Sequence, residues 1–242
     1  MTVVLKLGGS VITEKDRVET VDEERLTNLV DALAGQEDLV IVHGAGSFGH
    51  HHAAKYGVSV TKGTHDPEAV REIHGSMERL NERVIEALAT AEIPAVSVAP
   101  FSVGYRDRTG ELTFPLGQVE TMVGEGFVPV LYGDVISHRG TGATIISGDE
   151  LVVALAAGLD ADRVGLCSTV PGVLDDAGEV ISTISGYDDV SSYLGESEST
   201  DVTGGMAAKV RALLELDAPA SIFGPEEMEH FLATGEAGTR ID

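Results

Sequence analysis

Tryptophan is absent, cysteine occurs once and lysine only five times in 242 residues. The lone Cys167 excludes a disulfide within the chain. It lies in the strand-like run DRVGLCS, where a small buried hydrophobe is expected rather than a nucleophile. No apolar run approaches the length of a membrane-spanning helix. The chain enters a strand-like segment at once, which gives the expectation of no signal peptide and of a cytoplasmic setting without a membrane partner. Basic residues are scarce: sixteen Lys and Arg face forty Asp and Glu, a formal charge of −24. The acids are spread along the chain, so they read as a solvated surface. Such a surface repels nucleic acid and argues against a nucleic-acid partner. It resembles the surfaces of halophilic proteins, where high salt screens self-repulsion.

Against these shortages stand 29 glycines and an apolar fraction of 43%, enough for one large core or two small lobes sharing a sheet. The glycines fall in short runs after strand-like segments, where tight turns or phosphate contacts need a residue without Cβ. Val3 to Leu7 reads as a buried strand ending in KLGGS. Thr20 to Leu33 reads as a helix, with Thr20 and Glu23 at capping-box spacing. Leu39 to His43 is a second strand leading into GAGSFGHHH, followed by a long helix from Pro67 to Ala89 and a third strand from Ile93 to Val98. Pro115 opens a short helix, and Phe127 to Leu131 is a strand running into YGD. Alternation of this kind predicts an α/β fold, a three-layer αβα sandwich around a mainly parallel sheet. Residues 101–114 carry turn signals around Thr109 and Gly110, consistent with a small hairpin that either covers a substrate site or is a plain surface excursion.

After Gly142 the pattern restarts. GDELVVALAAGL is helical, ADRVGLCS is a strand, and TVPGVLDDAGEVI reads as a loop and short hairpin. Asp188 to Leu194 suggests a short helix. Gly204 and Gly205 precede a helix from Met206 to Leu216, PASIFG forms a late strand, and residues 225–233 a last helix. We expect a single domain over residues 1–242, with a soft boundary near 140 between an acceptor lobe (1–140) and a nucleotide lobe (141–242).

Three glycine loops carry the candidate chemistry. In KLGGS, Lys6 is a mobile cation at a strand end, and Gly8 and Gly9 let backbone N–H groups approach anionic oxygens. An ordinary strand-to-helix turn explains the same residues equally well. In HGAGSFGHHH, Gly44, Gly46 and Gly49 follow a strand at the carboxyl edge where open sheets hold ligands. Three adjacent histidines do not converge on a metal without a sharp turn, and no Cys or carboxylate cluster joins them, so no metal site is expected. His50 follows Gly49 and can face the loop interior, whereas His51 and His52 are expected to begin a helix. In TGGMAAK, residues 203–209, glycines precede a helix whose N-terminus favours anions, and Lys209 can reach back toward a phosphate. Asp149, in SGDE, either caps its helix or orients Lys6, with capping the stronger reading from sequence alone. No GxxxxGK motif, no GxGxxG fingerprint after the first strand and no protein-kinase signature set is present.

VVLKLGGSVIT with Lys15, then VHGAGSFGH, SGD and GGM followed by Lys209, together resemble the amino acid kinase superfamily, in order and over nearly the whole chain. KLGGSVITEK combined with GSFGH resembles more narrowly its isopentenyl phosphate kinase branch, in which a histidine directly follows the glycine loop. The resemblance implies that Lys6 bridges donor and acceptor phosphates and that Lys15 contacts the β- and γ-phosphates of ATP. Gly8 and Gly9 would hold the transferring phosphoryl group. His50 would bond the acceptor phosphate, with Gly46, Ser47 and Gly49 in the same loop. Asp149 would position the lysines, Thr169 and Gly172 would stand on the adenosine side, and Gly205 and Lys209 at the nucleotide phosphates. Pro171 departs from the family pattern, where Asp is common, and weakens the nucleotide contacts inferred there.

The implied partners are isopentenyl phosphate as small-molecule substrate and ATP with Mg²⁺, in a homodimer built through the N-terminal lobe. The lysines and His50 would offset repulsion between two anionic phosphates. Val70, Ile73, Met77 and Leu80, with Ile136 and Ile145 opposite, are candidate walls for an apolar tail, although most are ordinary core residues by type. A fosfomycin-type phosphonate kinase of the same fold is the nearest alternative. A non-catalytic nucleotide sensor is the second, disfavoured because the lysine set is complete and no regulatory domain is appended.

Overall fold

The computed structural model describes residues 1–194 and 205–242. Thr203 and Gly204 of the third glycine loop lie outside the described residues. The chain runs through β1 (Val3–Leu7), α1 (Gly9–Ile12), α2 (Glu23–Ala32), β2 (Leu39–His43), α3 (Gly46–Tyr56), α4 (Pro67–Thr90), β3 (Ala95–Ser97), α5 (Pro100–Val103), β4 (Tyr105–Arg106), β5 (Leu112–Thr113), α6 (Gly117–Gly124) and β6 (Val128–Tyr132). It continues through β7 (Asp134–His138), β8 (Gly142–Ile146), α7 (Gly148–Gly158), β9 (Arg163–Cys167), β10 (Thr183–Ile184), α8 (Ser191–Leu194), α9 (Gly205–Leu213), β11 (Ala220–Phe223), α10 (Met228–Thr234) and β12 (Thr239–Ile241).

The main sheet has the order β10-β12-β11-β9-β1-β2-β6-β3, and only the β11–β12 pair is antiparallel. β1 lies at its centre, bonded to β2 on one side and β9 on the other. The pleat divides the apolar residues of each strand between two faces. Leu5, Leu7 and Ile41 join one core cluster with Leu26, Leu29, Leu80 and Val84 of α2 and α4. Val4, Val40 and Val42 join a second cluster with Leu151 and Leu155 of α7 and Val210 of α9. Helices therefore cover both faces, as the alternating pattern predicts.

Local chemistry fixes the helix ends. Pro67 opens α4, and the Asp66 carboxylate accepts from the Glu68 N–H at 2.9 Å. Ile73, Met77, Leu80, Val84 and Leu88 then repeat at helical spacing along its buried face. For α2 the expected capping box of Thr20 and Glu23 does not form. Asp22 is the cap, its carboxylate accepting from Arg25 N–H at 3.1 Å, and the Thr20 hydroxyl donates to the carbonyl of Val18. The bridge between Thr13 and Val21 holds residues up to 21 in a loop, so the helix starts later than the spacing suggests.

A second sheet was not foreseen beyond its first hairpin. β4 and β5 form the expected antiparallel pair, and β4 also pairs with β7, which pairs with β8, giving the order β5-β4-β7-β8. β7 and β8 surround the turn that the sequence reading treated as an interlobe boundary. The loop GAGSFGHHH is also more regular than expected: α3 begins at Gly46, so His50, His51 and His52 all lie within it.

Candidate active site

The main cavity, about 700 Å³, opens at the carboxyl ends of β1 and β2. Two glycine loops meet there back to back. Gly46 has φ +49°, and a Cβ on it would strike the Thr13 side chain and the carbonyl of Gly9. A Cβ on Gly9 would strike the backbone of Gly46 in return. Glycine is required at both for the loops to touch. The Thr13 hydroxyl locks the junction, donating to Gly9 O at 2.7 Å and accepting from Ser47 N–H at 3.0 Å. The first turns of α1, α3 and α7 all border the cavity, and first-turn N–H groups lack partners within their own helix.

Lys6 is buried, 8% exposed, at the end of β1. Its ammonium donates to Asp149 Oδ1 at 2.6 Å, and Lys209 Nζ stands 3.8 Å from Asp149 Oδ2. Asp149 does not cap α7: Ser147 does, in a capping box with Glu150, which frees Asp149 to face the lysines. The sequence reading that favoured Asp149 as the cap is therefore corrected in favour of its alternative. Burial alone would raise the Asp149 carboxyl, but the Lys6 and Lys209 charges outweigh it and hold the group below the usual carboxylate range. Gly148 lets this happen, since a Cβ there would come within 3.1 Å of Lys6 Cε. Arg106 secures the same helix end from the small sheet, donating to Glu150 Oε1 at 2.6 Å and to Ile145 O at 3.3 Å.

Lys6, Gly8, Gly9, Lys15, Gly46, Ser47, Gly49, His50, Asp149, Thr169 and Lys209 all line this one cavity. Lys15 is exposed at its rim, on the loop between α1 and α2. Gly46, Gly49, His50 and Ala53 form the α3 face turned toward it, at spacings of three and four. Gly172 and Gly205 are not part of the wall. Gly172 packs where a Cβ would meet Thr239 and Val180 near β12, and Gly205 opens α9 at φ +68°. Ile73, Met77 and Ile145 of the proposed tail residues reach the cavity, whereas Val70, Leu80 and Ile136 do not.

Sequence reasoning missed two groups. Asp134 lines the cavity, its side chain fully buried, with its Oδ2 2.8 Å from His74 Nδ1. That bond, more than the opposing burial, raises His74. His43, at the end of β2, is fully buried beside Gly44 O at 3.2 Å and Asn81 Oδ1 at 3.3 Å. Burial pushes it down to about 4, against the bonds from Gly44 and Asn81 that favour its charged form. The YGD motif and the histidine opening HGAGSFG were the available signals. Cys167 is buried, and burial with the nearby Glu226 charge pushes its thiol up to about 12, consistent with an inert core residue.

The family model for the amino acid kinase family matches residues 1–217. The chain belongs to the amino acid kinase family. Within this family it is 60% identical to the isopentenyl phosphate kinase of Haloferax volcanii, over 99% of this chain and 98% of that protein. It is 37% identical to the isopentenyl phosphate kinase of Methanothermobacter thermautotrophicus, over 88% and 86% of the two chains. Among solved structures, an isopentenyl phosphate kinase superposes with a TM-score of 0.85 at 29% identity, covering 100% of both chains. An isopentenyl phosphate kinase substrate complex superposes at 0.80 and 25% identity, over 100% of this chain and 99% of that one. The narrower resemblance carried by KLGGS and GSFGH thus extends over the whole length. No described helix is long and apolar enough to cross a membrane.

Proposed function

We propose that this amino acid kinase family member transfers the γ-phosphoryl group of ATP to isopentenyl phosphate, giving isopentenyl diphosphate and ADP for isoprenoid synthesis. The observation that carries the reading is the mixed lining of one cavity. Lys6, Lys15, Lys209 and His50 line it together with Ala53, Ile73, Met77 and Ile145. A small molecule with an anionic head and a short apolar tail matches that composition. The relatives named isopentenyl phosphate kinase support the same substrate.

In this reading an oxygen of the acceptor phosphate attacks the γ-phosphorus, and the bond from that phosphorus to the β–γ bridging oxygen breaks. The electron pair leaves on ADP. The acceptor phosphate is already ionised, so no general base is needed. The barrier is dominated by bringing two anions together, and fixed cations lower it more than mobile water does. Lys6 spans donor and acceptor, Lys15 and Lys209 face the donor phosphates, and His50 holds the acceptor phosphate. Asp149 keeps Lys6 and Lys209 at hand before substrate arrives. Gly8, Gly9, Gly46, Ser47 and Gly49 would line the phosphate ends, with Thr169 on the nucleotide side and Gly172 and Gly205 behind the wall.

Magnesium, when bound, would supply positive charge at the donor phosphates. Among the described residues no group of three or more His, Cys, Asp or Glu is placed to hold a metal. Residues 1–140 would then form the acceptor lobe and 141–242 the nucleotide lobe. A homodimer in the cytoplasm of a salt-accumulating cell completes the proposal, with sedimentation in high salt as the check on the dimer.

The test is ADP release in high salt with Mg²⁺ and ATP, comparing isopentenyl phosphate with fosfomycin, glutamate, carbamate and uridylate. Isopentenyl phosphate should be far the fastest. Comparable turnover of another acceptor would overturn the assignment.

A further inference from the structure

Lys15 sits on an exposed loop, where a long side chain has many conformations and a precise role needs an anchor. The loop's base is closed by the bridge between Thr13 and Val21 and by the hydrogen bond from Glu14 N–H to Thr20 O at 2.9 Å. Four residues beyond Lys15 stands Glu19, with φ +48°, a left-handed conformation uncommon for a residue with a side chain. Such a conformation persists where surrounding contacts hold it.

Those contacts are specific. Glu19 Oε1 lies 2.7 Å from His52 Nε2 on α3 and accepts from Arg79 Nη2 of α4 at 2.5 Å. Arg79 Nε donates to the other oxygen at 3.2 Å, making a two-pronged grip. The Glu19 N–H donates to Ser47 O at 3.3 Å, and Thr20 N–H to Ser47 Oγ at 3.4 Å. His52 Nδ1 lies 3.4 Å from Glu72 without completing a hydrogen bond, and Glu72 accepts from Lys55 at 2.6 Å. The Glu19 side chain is 27% exposed, that of His52 15% and that of Arg79 54%, so the His52 contact is less screened by salt than an open surface pair, whereas the Arg79 arm stands nearer solvent. Burial would raise the Glu19 carboxyl, but the bonds from Arg79 and His52 outweigh it and keep the group ionised.

The consequence lies in which elements the grip joins. His52 is two residues from His50 on α3, and Ser47, in the first turn of that helix, lines the cavity. Lys15 and His50 line one cavity from two separate segments. We propose that Glu19 is a positioning residue for Lys15, fastening the loop of residues 14–20 to the acceptor helix α3 through His52 and Ser47 and to α4 through Arg79. The proposal rests on the reading of Lys15 as a ligand of the donor phosphates. It adds that the position of that cation is set from the acceptor side of the site.

The test uses the full chain with Glu19→Ala, Glu19→Gly and Glu19→Gln. Glycine relieves the left-handed backbone but removes the carboxylate, and glutamine keeps part of the hydrogen bonding. Lys15 and Arg17 are trypsin sites on the loop itself, so nicking there without substrates reads the fastening independently of catalysis. Nicking after Lys15 or Arg17 should be about tenfold faster in the alanine and glycine variants and intermediate in glutamine, with no new cleavage in the core strands. In kinetics with isopentenyl phosphate, kcat/KM for ATP should fall about tenfold in alanine and glycine and recover partly in glutamine. Wild-type nicking and ATP kinetics in Glu19→Gly would overturn the proposal, as would full activity in all three variants. If the wild-type protein does not turn over isopentenyl phosphate, the function reading fails, while faster loop nicking still upholds the fastening and unchanged nicking still refutes it.

Discussion

Lys6 Nζ stands 2.6 Å from one oxygen of Asp149, and Lys209 Nζ stands 3.8 Å from the other oxygen of the same carboxylate. One is delivered by the central strand and the other by α9, more than two hundred positions apart in sequence. The carboxylate comes from the first turn of α7, on a third element. One buried acid therefore gathers two cations that would otherwise repel each other in an empty site.

Removing that acid leaves the cations unanchored. Asp149→Asn should lower kcat on the order of 100-fold, because small misplacements of a charged group are costly in phosphoryl transfer. KM for ATP should change little, since the variant loses a negative charge beside the phosphates. Steady-state kinetics separate the two. The same pair sets an acid limit on stability. A carboxyl held low in the folded state stabilises the protein above the ordinary value of 3.8, and that contribution is lost as pH falls through the folded value. Asp149→Asn should flatten this acid limb in pH-dependent unfolding.

Gly148 tests the geometry with one methyl group. Its Cβ would sit 3.1 Å from Lys6 Cε and 3.5 Å from His43 O. Gly148→Ala should displace the Lys6 ammonium and lower kcat about tenfold. Thermal stability should hold or rise slightly, because alanine favours the first turn of a helix over glycine. A fall in activity without a fall in melting temperature is the expected signature.

His50 should mark the acceptor side. His50→Ala should raise KM for isopentenyl phosphate about tenfold or more and leave KM for ATP nearly unchanged. His50→Gln, which can still donate a hydrogen bond, should recover part of the loss. Initial rates measured across both substrate concentrations distinguish these outcomes.

His43 predicts a second pH dependence. It is neutral when folded because burial holds it down to about 4, whereas the unfolded ring titrates near 6.5. Between those values the unfolded state binds the extra proton, so stability falls as pH drops from about 6.5 toward 4, at roughly 1.4 kcal/mol per pH unit. His43→Asn should be less stable at neutral pH yet lose less on acidification. Denaturant unfolding at several pH values checks this.

Much of the architecture was legible because period and position agree. The strands that form the sheet centre, Val3–Leu7, Leu39–His43 and Arg163–Cys167, are apolar runs broken only by Lys6, His43 and Arg163, close to what strands covered on both faces need. The small sheet was less legible. β7 and β8 mix polar and apolar residues around a Gly-rich turn, and β4 and β5 are two residues each, too short to show a period. At the site, glycine loops and scarce lysines announced themselves by type and order. Asp149's task was ambiguous because any acid near a helix start reads as a cap, and only Ser147 occupying that position resolves it. The pairings of Asp134 and Glu19 were invisible for a different reason. Their partners, His74, His52 and Arg79, are 60, 33 and 60 residues away, and no local pattern encodes such pairings.

The most direct test of the account is ³¹P NMR of the protein with Mg²⁺, ATP and isopentenyl phosphate in high salt, repeated with methyl phosphate as an acceptor that has a phosphate but no tail. Isopentenyl phosphate should be converted to a diphosphate with matching formation of ADP, and methyl phosphate should turn over much more slowly. Equal rates on the two acceptors, or ADP formation with the isopentenyl phosphate signal unchanged, would contradict it.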